Sequence, residues 1–279
     1  MTQHPQILDA PPAPGLAFAQ TGAGRDVILI HGAMTCLDDM AIALFSSLED
    51  EFRVTAFDRP GHGRNLTPVA GAPWRQAEAV HAAAQSLGLV RPVVVGHSFG
   101  GAVALAYAQC FPDETAGVVA LSPIAFPEPR MEQFLFGPRA MPGPVGFWCH
   151  SLGRLTDPLL LPVLWRAMFL PQAMPARFAE QFPFTLAGRA GQMLAEAQDA
   201  VLMAPGAAWN TAGYGACQTP IHILAGDRDM VVNTAIHVDG LARLLPHARL
   251  TKLPGLGHMI HHFAQPAIVD AIRELHAGV

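Results

Sequence analysis

The sequence predicts an α/β fold: a mostly parallel, doubly wound sheet carrying an inserted all-helical segment. Short apolar runs, several of them β-branched, alternate with stretches of helical periodicity, the order that places helices on both faces of a parallel sheet. His31, Asp58, Ser98, Ser122 and Asp229 fall at or soon after the ends of such runs, where open α/β sheets collect functional residues. From Phe126 to Gly215 the alternation stops, and Pro142, Pro158, Pro162, Pro171 and Pro175 punctuate a stretch without a clear strand.

Taken in order, Met1 to Pro14 reads as a loose arm, and Leu16, Phe18 and Gln20 as a short strand closed by Gly22-Ala23-Gly24. Val27 to Ile30 is a continuous apolar strand of the kind buried on both faces of a sheet. Leu37 to Leu48 has helical spacing, with Asp38 and Asp39 near its positive end. Val54 to Phe57 is the next strand, Trp74 to Leu87 a helix, and Val93 to Val95 the central strand. The Ala-rich run after Gly101 is a helix, and Val118 to Leu121 a strand. Within the insertion, Val145 to Leu152, Leu159 to Leu170, Ala176 to Phe182 and Ala190 to Met203 read as short helices. Ile221 to Ala225 and Leu250 to Leu253 are strands; Thr234 to Leu245 and Ile260 to His276 are helices. The expected division is a core of residues 1–126 and 216–279 with a helical cap at 127–215.

Bulk composition narrows the function. With 279 residues, 51% hydrophobic and 14% charged, the chain supplies a large core for one α/β domain. A net charge of −5 leaves no basic footprint for nucleic acid. No apolar run is long enough for a transmembrane segment. The N-terminal arm lacks a basic start followed by an apolar stretch, so a cytoplasmic location is expected. Cys36, Cys110, Cys149 and Cys217 are scattered singly, without metal-site or disulfide spacing. Monomer and homodimer stay equally open.

The stretch that carries the chemistry is Gly96-His97-Ser98-Phe99-Gly100, set between the Val93 strand and the Ala-rich helix. Glycines on either side of the serine suit a turn that brings backbone segments into contact and holds the hydroxyl exposed at a helix start. This pattern resembles the nucleophile elbow of the α/β-hydrolase superfamily. Three further motifs agree with that resemblance in chain order: His31-Gly32-Ala33-Met34, Asp58 to Arg64, and the Gly226–His258 region.

The resemblance implies a Ser–His–Asp triad. Ser98 needs a base, because a serine hydroxyl is a poor nucleophile at neutral pH. His258, in Pro254-Gly255-Leu256-Gly257-His258, follows the last strand on a Gly-rich loop and fits that place. His261 and His262 read as faces of the following helix. In Gly226-Asp227-Arg228-Asp229, matching by residue puts Asp229 in the acid position, with Asp227 as the alternative. The oxyanion donors are then the backbone N–H of Phe99 and of Ala33, with Met34 as the alternative to Ala33. Phe99 also reads as an apolar wall beneath the cap, while His31 either organises its turn or touches the pocket.

Serine at the elbow, where some relatives carry aspartate, favours acyl transfer through an acyl-enzyme that needs no metal or organic cofactor. The expected substrate is a small molecule, a carboxylic ester with an apolar acyl or alcohol part. The expected pocket residues are His31, Phe126, Phe147, Trp148, Trp165, Met168 and Met259, although the insertion's aromatic and Met residues also suit a core of its own. Three alternatives stand beside it: a carbon–carbon bond hydrolase of the meta-cleavage type, which requires a carboxylate clamp; a cofactor-free haloperoxidase or perhydrolase; and a hydrolase-fold ligand-binding protein.

Overall fold

A computed structural model describes residues 15–65 and 71–278, together with the two-residue strand β1, Gln6–Ile7. The remainder of the Met1 to Pro14 arm lies outside the described residues. Strands β2 (Phe18–Thr21), β3 (Arg25–Ile30), β4 (Phe52–Phe57), β5 (Val93–His97), β6 (Gly117–Leu121), β7 (Ile221–Gly226) and β8 (Arg249–Leu253) join β1 in one sheet of order β1-β2-β4-β3-β5-β6-β7-β8. The pairs β1–β2 and β2–β4 are antiparallel, and every other neighbouring pair is parallel.

The apolar runs become two-sided strands because successive side chains point to opposite faces. In β3, Ile28 and Ile30 enter one apolar layer while Val27 and Leu29 enter the other; in β5, Val94 opposes Val93 and Val95. Helices α1 (Leu37–Leu48), α2 (Pro73–Ser86), α3 (Phe99–Cys110), α9 (Thr234–Leu244) and α10 (Gln265–Ala277) cover these faces. Chain order runs outward from β3 to β4 and then returns to β5. The carboxyl ends of β3 and β5 therefore form the switch point at which open sheets leave a crevice.

Between β6 and β7 the described chain is helical: α4 (Met131–Leu135), α5 (Pro144–Met168), α6 (Ala176–Gln181), α7 (Phe184–Ala187) and α8 (Ala190–Gly213). Two expectations are corrected here. The two short helices expected at 145–152 and 159–170 are one helix of 25 residues running through Pro158 and Pro162. The helix expected to stop at Met203 continues through Pro205 to Gly213. All three prolines face solvent, where water can bond the carbonyls that each proline leaves without a donor. The closing helix also starts later than expected, since His261 and His262 lie in a 3₁₀ turn ahead of α10.

An apolar cluster of its own holds the insertion, including Phe136, Trp165, Phe169, Phe178, Phe182 and Met193, and it reaches the core through Met34 and Met259. All four cysteines are free. Among the described residues no helix is long and apolar enough to cross a membrane.

Candidate active site

Ser98 sits between β5 and α3 with φ 55° and ψ −114°, outside the conformations an L-residue ordinarily adopts. The turn is possible only with glycine on either side. A Cβ on Gly96 would lie 2.1 Å from the Gly100 carbonyl, and one on Gly100 would lie 2.4 Å from the His31 carbonyl. The Ser98 N–H donates to Leu121 O at 2.9 Å and its carbonyl accepts the Ile124 N–H at 3.1 Å, which pins the strained residue to the neighbouring strand.

Asp229 lies in the turn after β7. Its Oδ1 accepts the N–H groups of Val231 and Val232 at 2.8 and 2.9 Å, leaving Oδ2 to accept His258 Nδ1–H at 2.8 Å. Burial works against the charge on Asp229, but His258 and the two amides outweigh it and hold the carboxyl below its ordinary range. Asp227 does different work. Its Oδ1 accepts the Gly255 N–H at 2.7 Å and so ties the acid loop to the histidine loop. His97 donates from Nε2 to the His258 carbonyl at 3.1 Å, a further anchor for that loop. Burial, with His261 and His258 beside it, keeps the His97 imidazole neutral, its pKa well below the ordinary value.

The turn after β3 is fixed by His31. Its Nε2 accepts the Arg59 N–H at 3.0 Å, so the ring proton is on Nδ1, which donates to Gly32 O at 2.8 Å. Arg59 Nη2 and Thr35 Oγ1 also donate to Gly32 O, at 3.1 and 3.3 Å. In a trans peptide the N–H points opposite to the carbonyl. With Gly32 O held by groups inside the protein, the Ala33 N–H points the opposite way, and Ala33 lines the cavity. Met34 N–H is occupied: it donates to Glu196 Oε1 at 2.6 Å.

The crevice is a cavity of about 690 Å³. Ser98, Asp229 and His258 share it with Ala33, Met34, Met168 and Met259. Five expected pocket residues are not on its wall. His31 is fully buried in its turn, and Phe126 packs against Tyr214 and His237. Phe147 and Trp148 are 66% and 69% exposed on the outer side of α5. Trp165 lies behind the wall and donates from Nε1 to Met34 O at 2.9 Å. The Phe99 ring is also absent from the wall, because it belongs to the sheet core, with the Arg59 guanidinium 4.8 Å above it.

Some residues that shape the site carry no motif. Glu128, Arg130 and Glu132 line the cavity, and Arg130 Nη2 donates to Glu132 Oε1 at 2.8 Å with Glu128 Oε2 3.7 Å from Nη1. Gln192, Glu196 and Asp199 form a buried polar stripe on α8 beneath the site. Glu196 Oε1 lies 3.1 Å from His62 Nε2, and Asp199 pairs with Arg59. Burial opposes the Glu196 charge, yet His62, Arg59 and the Met34 amide hold its carboxyl below the ordinary range. Gln172 bridges to the histidine loop, donating to Gly255 O at 2.7 Å and accepting the Gly257 N–H at 2.9 Å. The i, i+4, i+7 spacing of polar residues in the otherwise Ala- and Met-rich α8 was the one sequence signal for part of this set.

Among the described residues, two groups of titratable side chains have metal-like spacing, Asp39-His97-His261 and His62-Glu196-Asp199. The second is filled by the Arg59 guanidinium, which leaves no use for a cation there. In the first, Asp39 Oδ1 already accepts from His261 and His262 at 3.0 and 2.8 Å.

Residues 27–271 match the profile of the Alpha/beta hydrolase family. The chain is 36% identical over 111 residues to a dihydrolipoyllysine-residue acetyltransferase component of an acetoin cleaving system from Cupriavidus necator, covering 39% of this chain and 29% of that one. The chain thus spans less than a third of that relative's length. It is 29% identical over 245 residues to a non-heme haloperoxidase from Rhodococcus erythropolis, covering 86% of this chain and 88% of that one. Among solved structures, a thermophilic esterase from Thermogutta terrifontis superposes with a TM-score of 0.69 at 22% identity, over 99% of each chain.

Proposed function

Since this chain belongs to the Alpha/beta hydrolase family, we propose that it is a serine hydrolase that cleaves a carboxylic ester with an apolar acyl or alcohol part. The observation that carries this reading is the Asp229–His258 pair at 2.8 Å, opening on the same cavity as a serine held at positive φ. In this reading His258 Nε2 takes the Ser98 proton as Oγ bonds the ester carbon. The oxyanion is held by the Ala33 and Phe99 N–H groups. Collapse of the intermediate breaks the bond to the alkoxy group, which leaves with the proton from His258. Water, deprotonated by His258, then attacks the acyl carbon, and the acid departs as Ser98 recovers its proton. Residues 127–215 act as the lid over a core of residues 1–126 and 216–279.

The wall of the cavity supports the ester reading over the alternatives. Arg130 is the one Arg or Lys among the lining residues, and its partners Glu128 and Glu132 more than neutralise it. A substrate carboxylate would meet net negative charge there, which favours an uncharged ester over a meta-cleavage product. Met34, Leu135, Phe136, Leu164, Met168 and Met259 supply an apolar, adaptable surface for the acyl or alcohol part. The haloperoxidase likeness supports one second reading. Hydrogen peroxide in place of water would attack the same acyl-enzyme, giving a peracid and free Ser98.

A p-nitrophenyl ester series of increasing acyl length, run beside vinylogous diketones, tests the assignment. Turnover of short to medium esters with inert diketones is the expected result. Reactive diketones with inert esters would overturn it in favour of carbon–carbon bond cleavage.

A further inference from the structure

We propose that Glu196 on α8 is a positioning residue for the oxyanion turn, holding Met34 so that the Ala33 N–H faces the reacting carbonyl. The inference rests on the serine-hydrolase reading above and adds a residue of the insertion to its machinery.

Met34 has φ 60°. A residue with a Cβ crowds its own backbone there and keeps the conformation only where its surroundings over-determine it. At Met34 they do so from both ends of the residue. Its N–H donates to Glu196 Oε1 at 2.6 Å, and its carbonyl accepts Trp165 Nε1–H at 2.9 Å. The following carbonyl, of Thr35, accepts Gln192 Nε2–H at 2.8 Å. All three side chains belong to the insertion.

The consequence falls on Ala33. The peptide ahead of it is held through Gly32 O, which accepts from His31, Arg59 and Thr35. The peptide behind it is held through Met34 N–H by Glu196. With both flanking peptides fixed, the Ala33 N–H has one direction. Both grips also belong to one buried polar cluster, since Arg59 pairs with Asp199 and Glu196 lies 3.1 Å from His62. The buried carboxylate accepts a charge-assisted bond, stronger than a neutral one. Lifting α8 away would release Met34, so the insertion completes the oxyanion hole as well as covering it.

The test uses the full chain carrying Glu196→Ala, Glu196→Gln, Trp165→Phe, or Met34→Gly with and without Glu196→Ala. Each is assayed on p-nitrophenyl butyrate and normalised to sites titrated with a fluorophosphonate, so that a loss of folded protein does not count as lost catalysis. Glu196→Ala is expected to lower kcat per titrated site about 10- to 100-fold with KM within about threefold, the range set by one misdirected oxyanion donor. Glu196→Gln keeps an acceptor oxygen and is expected to stay within about threefold of the parent. Glycine adopts φ 60° without strain, so Met34→Gly is expected to shrink the Glu196→Ala loss to less than about tenfold. A per-site kcat for Glu196→Ala within twofold of the parent would overturn the proposal, as would a loss that Gln does not restore. Should Glu196→Ala fail to fold, Trp165→Phe carries the test, and an unchanged per-site kcat there overturns it. A parent chain that neither titrates nor hydrolyses any ester overturns the serine-hydrolase reading itself, a different outcome from an active parent indifferent to Glu196.

Discussion

The two walls of the cavity are built on different principles. On the sheet side, position comes from the backbone: Ser98, Ala33, Asp229 and His258 all stand in turns after parallel strands, and glycines permit the tightest of them. On the insertion side, position comes from single polar side chains that reach across to core loops. Glu196 and Trp165 grip the turn after β3 through Met34, and Gln172 grips the loop carrying His258. A backbone device needs a contiguous motif, whereas a side chain reaching across needs one residue at a suitable place on the insertion. The first kind of site is written in local sequence; the second depends on how helices pack.

Four substitutions test that contrast. On the sheet side, Asp229→Asn leaves the shape of the turn but cannot hold the histidine tautomer or stabilise its charged form. Its kcat for p-nitrophenyl butyrate is expected to fall about 10³- to 10⁴-fold. On the insertion side, Gln172→Ala frees the loop carrying His258 and is expected to cost less than the roughly 100-fold that a 1 Å misplacement brings. A Gln172 effect as large as that of Asp229 would erase the distinction between the two walls. Phe147→Ala and Trp148→Ala, on the solvent side of α5, are expected to change kcat/KM by less than about twofold, because neither touches the cavity.

The smallest expected effect concerns stability alone. Burial raises the Asp58 carboxyl from its ordinary range to about 6, despite bonds from Leu37 and Arg64 N–H. The folded chain therefore holds that proton more tightly than the unfolded one. The stabilising contribution is complete below about pH 4 and is lost as pH rises through about 6. The Tm of the parent relative to Asp58→Asn is expected to fall by several degrees between pH 4 and 7. A difference in Tm that is flat with pH would contradict this.

Most of the sheet was legible because each strand is a short apolar run whose faces both need covering. That Ser98, Asp229 and His258 share one cavity was legible because the motifs carrying them stand after those strands. The aromatic residues of the insertion misled for a physical reason: an apolar side chain on a helix has the same pattern whether it lines a pocket, forms a local core or faces solvent. Trp165 went to the cluster behind the wall, Phe147 and Trp148 to the surface, and Met168 to the cavity. The prolines misled likewise, because their penalty depends on whether the freed carbonyl can be solvated, and on α5 and α8 the prolines stand on the exposed side. Arg130 was invisible as a pocket residue because its neutralisation by Glu128 and Glu132 is a matter of side-chain geometry.

The central claim is that Ser98 is an activated nucleophile. Intact-protein mass spectrometry after brief exposure to a fluorophosphonate, followed by peptide mapping, tests it directly. An activated Ser98 is expected to take one adduct per chain, located on the peptide containing Ser98, absent from Ser98→Ala and strongly slowed in His258→Ala. A folded chain that takes up no adduct, or one that carries it elsewhere with Ser98→Ala still fully active on p-nitrophenyl butyrate, would contradict it.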